Sequence, residues 1–380
     1  MNFSFTDEHR LLLGVVREFV HKELGPVAAR LDKEARFPEE QIRKASEMGL
    51  MGIMIPVQYG GSGMDTISYV LAMEELSRAC ASTAIIISVN NSLVCEPIFR
   101  FGSEEQKHRF LIPLARGEKL GCFALTEPQA GSDAAGLKTT AVKKIGRYVL
   151  NGTKLFITNG AHADVAIVFA VTDVTKGAHG ISAFMVEKGT PGFSVGKVEE
   201  KMGLRASDLV ELNFQDCTIP EENLLGKEGD GFGIAMITLD GGRIGVATQS
   251  VGIARACLEE ALRYSKERFQ FGQPISGFQA IRFMLADMSM EIEAARLLTF
   301  RAAYLKDRGL PYTKEASQAK LFASEMANRV AFKALQIFGG YGYTTDFPVE
   351  KWYRDARVTT LYEGTSEIQR LVIARELLRT

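Results

Sequence analysis

The spacing of apolar residues predicts helices in the first 120 residues. In residues 8–24 the apolar side chains recur at the interval of an amphipathic helix, at Leu11, Leu12, Val15, Val16, Phe19 and Val20. Pro38 stands where a helix can begin, ahead of two glutamates that suit the positive N-terminal end of the helix dipole. A glycine-rich loop at residues 60–63 precedes another amphipathic stretch at residues 66–78. Residues 1–120 are therefore predicted to form a helical domain.

The apolar period changes towards two in residues 121–230. Asn151-Gly152 lies between two apolar segments, residues 148–150 and 154–158, and predicts a two-residue hairpin turn. Residues 165–171 and 181–186 are apolar enough for buried strands, and Val210, Leu212 and Phe214 alternate with polar residues as a half-buried strand does. This zone is predicted to be a β domain.

Helical spacing returns in residues 231–380, in longer segments. The segments 234–269, 278–307 and 314–338 are each long, which favours a helical bundle. Ser366, followed three residues later by Gln369, is typical of a capping box, so a final helix is expected to begin near Glu367. The predicted order is helical domain, β domain, helical bundle.

Composition excludes several classes of protein. The chain has 380 residues and a formal net charge of -1, without the basic surface that nucleic-acid binding requires. Its five cysteines are scattered and odd in number, which argues against a zinc site or a disulfide framework and for a reducing compartment. The five histidines are also dispersed, and no metal site is predicted.

The N-terminus and the longest apolar run indicate a cytoplasmic protein. Residues 1–10 have no basic segment followed by an apolar core, so they do not read as a secretory signal. The run at residues 84–89 is too short to cross a membrane.

Two glycine-rich runs are candidates for a dinucleotide site. Gly229-x-Gly231-x-Gly233 and Gly339-Gly340-x-Gly342 lack the preceding strand and following helix of a Rossmann fingerprint, so no Rossmann domain is predicted. Their glycines could still let a ligand approach the backbone closely.

Other residues have both a functional and an ordinary interpretation. The polar loop at residues 126–133 could hold a phosphate or a polar ring edge, or simply connect two domains. Arg243 and Arg268 could clamp a phosphate, although most arginines are solvated or paired with a carboxylate. Glu363, just before the last helix, could be a first-turn carboxylate favoured by the helix dipole. None of these residues decides a function alone.

Six motifs, taken in order, resemble the acyl-CoA dehydrogenase family over essentially the whole chain. They are Phe123-Ala124-Leu125-Thr126-Glu127-Pro128 with Gly131-Ser132-Asp133, Phe156-Ile157-Thr158-Asn159, Arg268-Phe269-Gln270-Phe271-Gly272, Gln336-Ile337-Phe338-Gly339-Gly340-Tyr341-Gly342, Tyr353-Arg354-Asp355-Ala356-Arg357, and Tyr362-Glu363-Gly364-Thr365-Ser366-Glu367-Ile368-Gln369. The resemblance implies an α+β subunit with an N-terminal helical domain (1–120), a β-barrel-like middle domain (121–230) and a C-terminal four-helix bundle (231–380).

The resemblance also implies FAD as cofactor and assigns residues to it. Positions that match the family's flavin contacts are Phe123, Ala124, Leu125, Thr126, Gly131, Ser132, Phe156, Ile157 and Thr158, and those that match its contacts to the rest of the dinucleotide are Arg268, Phe271, Gln279, Thr365 and Glu367. Many members carry tryptophan where Phe156 stands, so ring packing is expected to be looser here. Gln336, Gly339 and Gly340 match a segment that a neighbouring subunit presents to FAD, which implies a homotetramer built as a dimer of dimers.

For the substrate, the matching positions are Ser132, Asp240, Arg243 and Gly364, and Glu363 matches the catalytic base. The resemblance implies that Glu363 removes the α-proton of an acyl-CoA thioester while the β-carbon passes a hydride to flavin N5, giving a trans-2-enoyl-CoA. It further implies that an electron-transfer flavoprotein reoxidises the FAD.

Fewer residues bear on the acyl chain. Members for isovaleryl-type or long-chain substrates carry the base before the matching arginine, where this chain has Gly242. Residues 84–89 lack the arginine that pairs with the distal carboxylate in glutaryl-CoA dehydrogenases, and residues 88–93 resemble butyryl-CoA dehydrogenases. A saturated C4–C6 acyl group is expected, while medium and branched short chains stay open because one or two methylenes discriminate weakly. An acyl-CoA oxidase and a non-catalytic acyl-CoA or flavin-binding homologue are the competing classes.

Overall fold

The computed structural model describes residues 4–379. Its first part is helical, as the apolar spacing predicts. The helices are α1 (Asp7–Phe19), α2 (Gly25–Glu34), α3 (Glu39–Glu47), α4 (Thr66–Ala79), α5 (Ala81–Ser88), α6 (Glu96–Phe101), α7 (Glu104–Gln106) and α8 (Ile112–Ala115). Wide π-helical turns join several of them, so that helical backbone continues from Asp7 to Glu34. Pro38 is the N-cap of α3, where the sequence places a helix start.

The middle of the chain forms one mixed sheet. Its strands are β1 (Gly121–Ala124), β2 (Thr140–Lys144), β3 (Arg147–Thr158), β4 (Val165–Val171), β5 (Ile181–Glu187), β6 (Phe193–Val198), β7 (Leu209–Pro220) and β8 (Leu224–Leu225). The order is β6-β7-β3-β2-β4-β5-β8, with β1 also paired to β4. β4 runs parallel to β1 and β2, and the other pairs are antiparallel. Within residues 4–379 no pairing joins β6 to β8, so the barrel-like sheet stays open.

The predicted hairpin at Asn151-Gly152 is wrong. β3 runs straight through these residues, and the turn lies instead at Ile145-Gly146, between the paired residues Lys144 and Arg147. Gly146 has the positive φ, 67°, that such a turn requires. Gly152 marks a shift in register between β3 and β7, where a Cβ would come 2.4 Å from the Thr139 hydroxyl oxygen. An Asn-Gly pair suits a bulge as well as a turn, and only the partner strand decides between them.

The last part of the chain is helical again. It contains α9 (Gly231–Glu267), α10 (Gln279–Asp307), α11 (Thr313–Phe338), α12 (Val349–Arg357) and α13 (Ser366–Leu378), with the short strands β9 (Phe269–Gln270) and β10 (Gln273–Pro274) after α9. α9 packs against α10, α11 and α12, and also against α4 of the first part. Because α9 contacts both helical parts and the sheet, one apolar core runs through the helices. The three-domain division at residues 120 and 230 stays a proposal.

The first glycine-rich run is followed by a helix, contrary to the sequence interpretation. α9 begins at Gly231 itself, and the two-residue strand β8 precedes the run. Gly231 is needed for close packing, since a Cβ there would lie 2.5 Å from the Ser182 carbonyl carbon. The helix start therefore lies against β5, within a mixed sheet rather than a parallel one.

The apolar run at residues 84–89 lies in a longer helical stretch than the sequence suggests. Ala81–Phe101 is 21 residues long and passes a test of length and composition for crossing a membrane, with a mean hydropathy of 1.2 over its most apolar window. That window is 94% buried inside the protein, which is how the core helix of a folded domain behaves. We call Ala81–Phe101 the central helix.

Candidate active site

Glu363 lies in a tight turn between α12 and α13. Its φ is 52° and that of Gly364 is 92°, so two consecutive residues have left-handed backbone. The turn directs the carboxylate onto α9 at Gly242, where a Cβ would come within 2.1 Å of Glu363 Oε2. The glycine that disqualifies position 242 as a base is thus the residue that leaves room for the base predicted at 363.

Glu363 is half-buried, and its carboxylate is incompletely hydrogen-bonded. Oε2 is shielded from solvent and has no hydrogen-bond partner among residues 4–379. Burial raises the pKa of Glu363 to about 7, against the opposing influence of the cations Lys320 and Arg243. A carboxyl group with a pKa near neutrality is suited to accept a proton and to release it again.

The start of α13 differs by one residue from the sequence interpretation. Thr365, rather than Ser366, is the N-cap, and its side chain accepts a hydrogen bond from the Ile368 N–H at 3.4 Å. Gln369 does not complete a capping box on Ser366. Its Nε2 donates to the carbonyls of Glu363, at 3.1 Å, and Gly364, at 2.9 Å. The capping signature indicated the correct helix but not the contact that holds the turn.

Lys320 is a residue of this site that the sequence analysis missed. It is fully buried on α11, and its Nζ donates to the Gly364 carbonyl at 2.7 Å. Burial lowers the pKa of Lys320 to about 8, although the nearby Glu363 charge opposes that shift. A signal was present in the sequence, because Lys320 lies at helical spacing from the buried Ala316, Ala323 and Ala327.

The predicted acyl-CoA positions Asp240 and Arg243 lie close to Glu363 along α9. Arg243 is 5% exposed and pairs with Asp240, whose other oxygen accepts from Thr313 at 2.5 Å. Arg243 is therefore paired with a carboxylate, and its assignment to acyl-CoA stays a prediction. Both residues also line a cavity of about 420 Å³ together with Ile368 and Arg375 of α13.

The two predicted flavin segments lie side by side. The Leu155 N–H donates to the Thr126 carbonyl at 2.9 Å, joining the loop after β1 to β3. Phe156 has a φ of 58° and its side chain is 54% exposed, whereas Phe123 packs against Phe169 with ring centroids 4.8 Å apart. Ile157 is buried beneath this surface, and Ala124 and Leu125 are also buried. Gly131 and Ser132 lie in an exposed loop.

A buried ion pair, also missed, holds these segments. Lys154 is fully buried, and its Nζ donates to Glu127 Oε1 at 2.7 Å and to the Leu125 carbonyl at 3.1 Å. Glu127 accepts further bonds from the N–H groups of Lys138 and Thr139. Although burial would raise the pKa of Glu127, these partners lower it to about 2. Glu127 lies in the first of the six motifs, but nothing in the sequence indicates that it pairs with Lys154.

The central helix lies between the predicted flavin segments and the part of α9 that faces Glu363. Asn90 Oδ1 accepts from the Gly121 N–H at 3.0 Å, and Asn159 Nδ2 donates to the Ile86 carbonyl at 3.1 Å. Leu93 of the same helix lies against Gly242, since a Cβ added to Gly242 would come 2.8 Å from the Cδ2 of Leu93. The start of β1, the residue after β3 and the part of α9 at Gly242 therefore all lie against this one helix.

The remaining residues predicted to bind the cofactor lie outside the two flavin segments. Arg268 stands over the ring of Tyr341, with its guanidinium carbon 5.4 Å from the ring centroid. Exposed positions are Phe271, Gln279, Gln336, Gly339, Gly340 and Glu367. Within residues 4–379 no hydrogen bond or ring contact joins Arg268, Phe271 or Gln336 to Glu363 or to the flavin segments. Gln336 lines a separate cavity of about 660 Å³.

Three family models match successive parts of the chain. They are the acyl-CoA dehydrogenase N-terminal domain over residues 6–118, the middle domain over residues 122–217 and the C-terminal domain over residues 229–378. Among curated proteins, a short-chain-specific acyl-CoA dehydrogenase of Clostridium acetobutylicum is 52% identical over 379 residues, with 100% of both chains covered.

Solved structures agree in fold over the full length. Butyryl-CoA dehydrogenase from Megasphaera elsdenii matches with a TM-score of 0.98 and 51% identity, covering 100% of each chain. A chain in a structure described as the electron-transferring flavoprotein of Acidaminococcus fermentans, concerned with flavin-based electron bifurcation, matches at 0.99 with 53% identity and the same coverage. A structure described as the FAD complex of PigA matches at 0.96 with 32% identity and 100% of both chains covered.

Proposed function

The chain belongs to the acyl-CoA dehydrogenase family, and we propose that it oxidises a short-chain acyl-CoA thioester to the trans-2-enoyl-CoA, with FAD as acceptor and Glu363 as base. The observation that carries the assignment of the base is the Glu363 carboxylate itself. Its Oε2 is shielded from solvent and lacks a hydrogen-bond partner among residues 4–379, and its pKa is raised to about 7. A structural carboxylate at a helix start would be hydrogen-bonded to backbone N–H groups and would have a lowered pKa.

The work of Glu363 is to take the α-proton of the thioester. That proton is weakly acidic, so its removal requires a positioned base and stabilisation of the enolate charge that develops. Among residues 4–379, no backbone hydrogen bond uses the N–H of Glu363. We infer that this N–H donates to the thioester oxygen, and that Arg243 and Lys320 favour the added negative charge electrostatically.

The surface formed by the two flavin segments fits FAD. Phe156 offers an exposed aromatic face on backbone that turns it outward, and a Cβ at Gly131 would meet nothing within 4 Å. Thr126 and Thr158 add hydroxyl groups beside this face. We assign these residues to the isoalloxazine ring. When bound, FAD supplies the acceptor for the hydride that leaves the β-carbon of the substrate.

A short acyl chain is the substrate that we propose. The support is the likeness to a short-chain-specific enzyme and to a butyryl-CoA dehydrogenase, both above 50% identity. Leu93, buried on the central helix, closes the space beside Gly242 and Glu363. Anaerobic mixing with butyryl-CoA should bleach the flavin absorbance faster than mixing with octanoyl-CoA or isobutyryl-CoA. Faster bleaching by either competitor would overturn the proposed chain length.

The Glu363→Gln variant tests the base. The amide has nearly the same size but cannot accept the α-proton, so flavin bleaching by butyryl-CoA should fall by about 10³-fold or more. FAD content and acyl-CoA binding should stay at the wild-type level. A variant that still bleaches within tenfold of the wild-type rate would show that another residue is the base.

We further propose electron-transferring flavoprotein as the acceptor and a homotetramer as the assembly. The first is supported by the match to a chain in a flavoprotein structure concerned with electron bifurcation. The second is supported by large apolar side chains that one chain leaves exposed in its last helical part, at Phe271, Phe283, Met290, Phe332 and Tyr343. Rapid peroxide formation in air would favour an oxidase instead, and sedimentation of an active monomer would refute the tetramer.

A further inference from the structure

The turn that carries Glu363 needs support from outside. Left-handed backbone at a residue other than glycine is strained and persists only where the surroundings impose it. Glu363 has a φ of 52°, and Gly364, at 92°, continues the turn. Without external contacts the turn would relax and carry the carboxylate away from Gly242.

Two buried side chains supply that support from different helices. Gln369 of α13 donates to both carbonyls of the turn, and Lys320 of α11 donates to the Gly364 carbonyl alone. Both Lys320 and Gln369 are fully buried. Since α11 is a long helix packed against α9, Lys320 ties the turn to the helix pair that also carries Gly242.

Hydrogen bonding alone does not explain a lysine at this position. Gln369 already satisfies the Gly364 carbonyl, and a buried ammonium carries a large desolvation cost that a neutral donor would avoid. A buried lysine is normally paired with a carboxylate, as Lys154 is paired with Glu127. Lys320 instead donates to a carbonyl, and Glu363 is the carboxylate whose charge acts on it most strongly.

We propose that Lys320 is a positioning residue for Glu363, which fixes the Gly364 carbonyl and places an uncompensated positive charge beside the carboxylate. This inference rests on the proposed function of Glu363 as base. It adds that the ionised form of the base is maintained near neutral pH by a residue on a separate helix, which does not touch the substrate.

Other charged groups face Glu363, but none duplicates Lys320. Arg243 on α9 acts in the same direction, yet its own charge is balanced by its ion pair with Asp240. Tyr69 on α4 and Tyr362 in the turn have pKa values raised by burial and by Glu363, so both stay neutral. Glu367 on α13 is exposed and acts on Lys320 rather than on the base. Lys320 is therefore the charge whose removal should affect Glu363 most.

Three substitutions separate the charge from the hydrogen bond. Lys320→Met removes both at similar volume, Lys320→Gln keeps a neutral donor, and Lys320→Arg keeps the charge. Each holoenzyme is mixed anaerobically with butyryl-CoA from about pH 5.5 to about pH 9, and the bleaching rate is fitted to two ionisations, that of the base and that of residue 320, whose lysine has a pKa lowered to about 8. Thermal stability and FAD content are measured in parallel.

The expected result is a shift in the pH profile. Loss of the charge raises the pKa of the base, so the midpoint should move upward by about one unit or more in the methionine and glutamine variants. At pH 7 the methionine variant should bleach about 10- to 100-fold more slowly, whereas the arginine variant should keep the wild-type midpoint. The glutamine variant should recover most of the limiting rate at high pH because it keeps a donor.

Other outcomes separate the two proposals. If the methionine and glutamine variants keep the wild-type midpoint and rate while Glu363→Gln is inactive, Lys320 has only a structural role and the base assignment stands. If Glu363→Gln remains active, the base assignment fails first. Lys201→Met is the matched control, since it removes a half-buried lysine that also donates to a backbone carbonyl, that of Ser207, and it should leave both the midpoint and the bleaching rate at the wild-type values.

Discussion

Glu127 in the loop after β1 and Glu363 before α13 are both carboxylates near a fully buried lysine, but their environments differ. Glu127 accepts bonds from Lys154 and from two backbone N–H groups, and these lower its pKa to about 2. Glu363 leaves Oε2 without a partner, and burial raises its pKa to about 7. Lys154 donates a hydrogen bond directly to the Glu127 carboxylate, whereas Lys320 donates to the carbonyl of Gly364, the residue after Glu363.

The difference separates a carboxylate bonded within the fold from the one that we propose is reactive. A fully bonded carboxylate is a poor proton acceptor, because protonation would break its contacts. A buried carboxylate with too few hydrogen bonds destabilises the fold when it is ionised. Protonation relieves this destabilisation, so such a carboxylate accepts a proton more readily. The two sites therefore predict opposite effects for similar substitutions.

The largest effect is expected at the structural pair. Lys154→Met leaves the Glu127 charge buried without its cation, which should reduce the free energy of unfolding by about 3–5 kcal/mol. Urea unfolding at pH 7 measures this loss. Lys143→Met, which breaks the exposed ion pair with Glu228, is the control and should change stability little. Equal losses in the two variants would show that the buried pair has no special role.

The Glu363→Gln substitution should increase the free energy of unfolding at high pH, whereas Lys154→Met lowers it. The pKa of Glu363 is raised from 4.5 to about 7, so its contribution is favourable below pH 4.5 and is lost as pH rises through 7. At pH 8 the glutamine variant should therefore be more stable than the wild type by up to about 3 kcal/mol, and at pH 4 the difference should vanish. Thermal unfolding of both proteins at the two pH values tests this.

Glu293→Gln, at an exposed position of α10, is the matched control and should behave like the wild type at both pH values. A glutamine variant at position 363 that is less stable at pH 8 would place Glu363 with Glu127, as a structural carboxylate.

A smaller effect is expected from Gly242→Ala, which tests the space given to the base. The new Cβ would lie 2.1 Å from Glu363 Oε2 if nothing moved, so the carboxylate must shift. A displacement of about 1 Å can cost about 10²-fold in rate, and flavin bleaching by butyryl-CoA should fall by about that factor while FAD stays bound. Gly14→Ala, on the exposed face of α1 with nothing within 4 Å, should leave the rate unchanged. Wild-type bleaching by the Gly242 variant would contradict the proposed position of the base.

The sequence predicted elements well where a signal repeated, and poorly where one short signal had two meanings. Helices α9, α10 and α11 begin and end within a few residues of the predicted segments, because apolar residues recur over many turns. Asn151-Gly152 was misassigned because a bulge and a turn use the same residues. The spacing of Ser366 and Gln369 predicts Ser366 as the N-cap. Thr365, one residue earlier, is the N-cap instead, because its hydroxyl has the same capping chemistry.

The candidate site residues divide in a similar way. Glu363, Arg243 and the two flavin segments are predicted because they match motifs or positions of a family that the chain resembles. Lys320 and Lys154 were not found, because each acts through a partner that is distant in sequence, Gly364 and Glu127 respectively. The helical spacing of Lys320 with buried alanines indicates that this lysine is buried. Its role depends on its contact with the turn before α13, which the sequence does not show.

The succession of helical, β and helical parts, the family and the position of the candidate base follow from the sequence, because periodicity and motifs are local properties of the chain. Two features follow only from the packing of distant segments. Glu363 Oε2 is shielded over Gly242 without a partner among residues 4–379, and Lys320 donates to the carbonyl of the next residue, Gly364. Burial and charge proximity depend on which segments pack together, and they set the pKa that distinguishes Glu363 from Glu127.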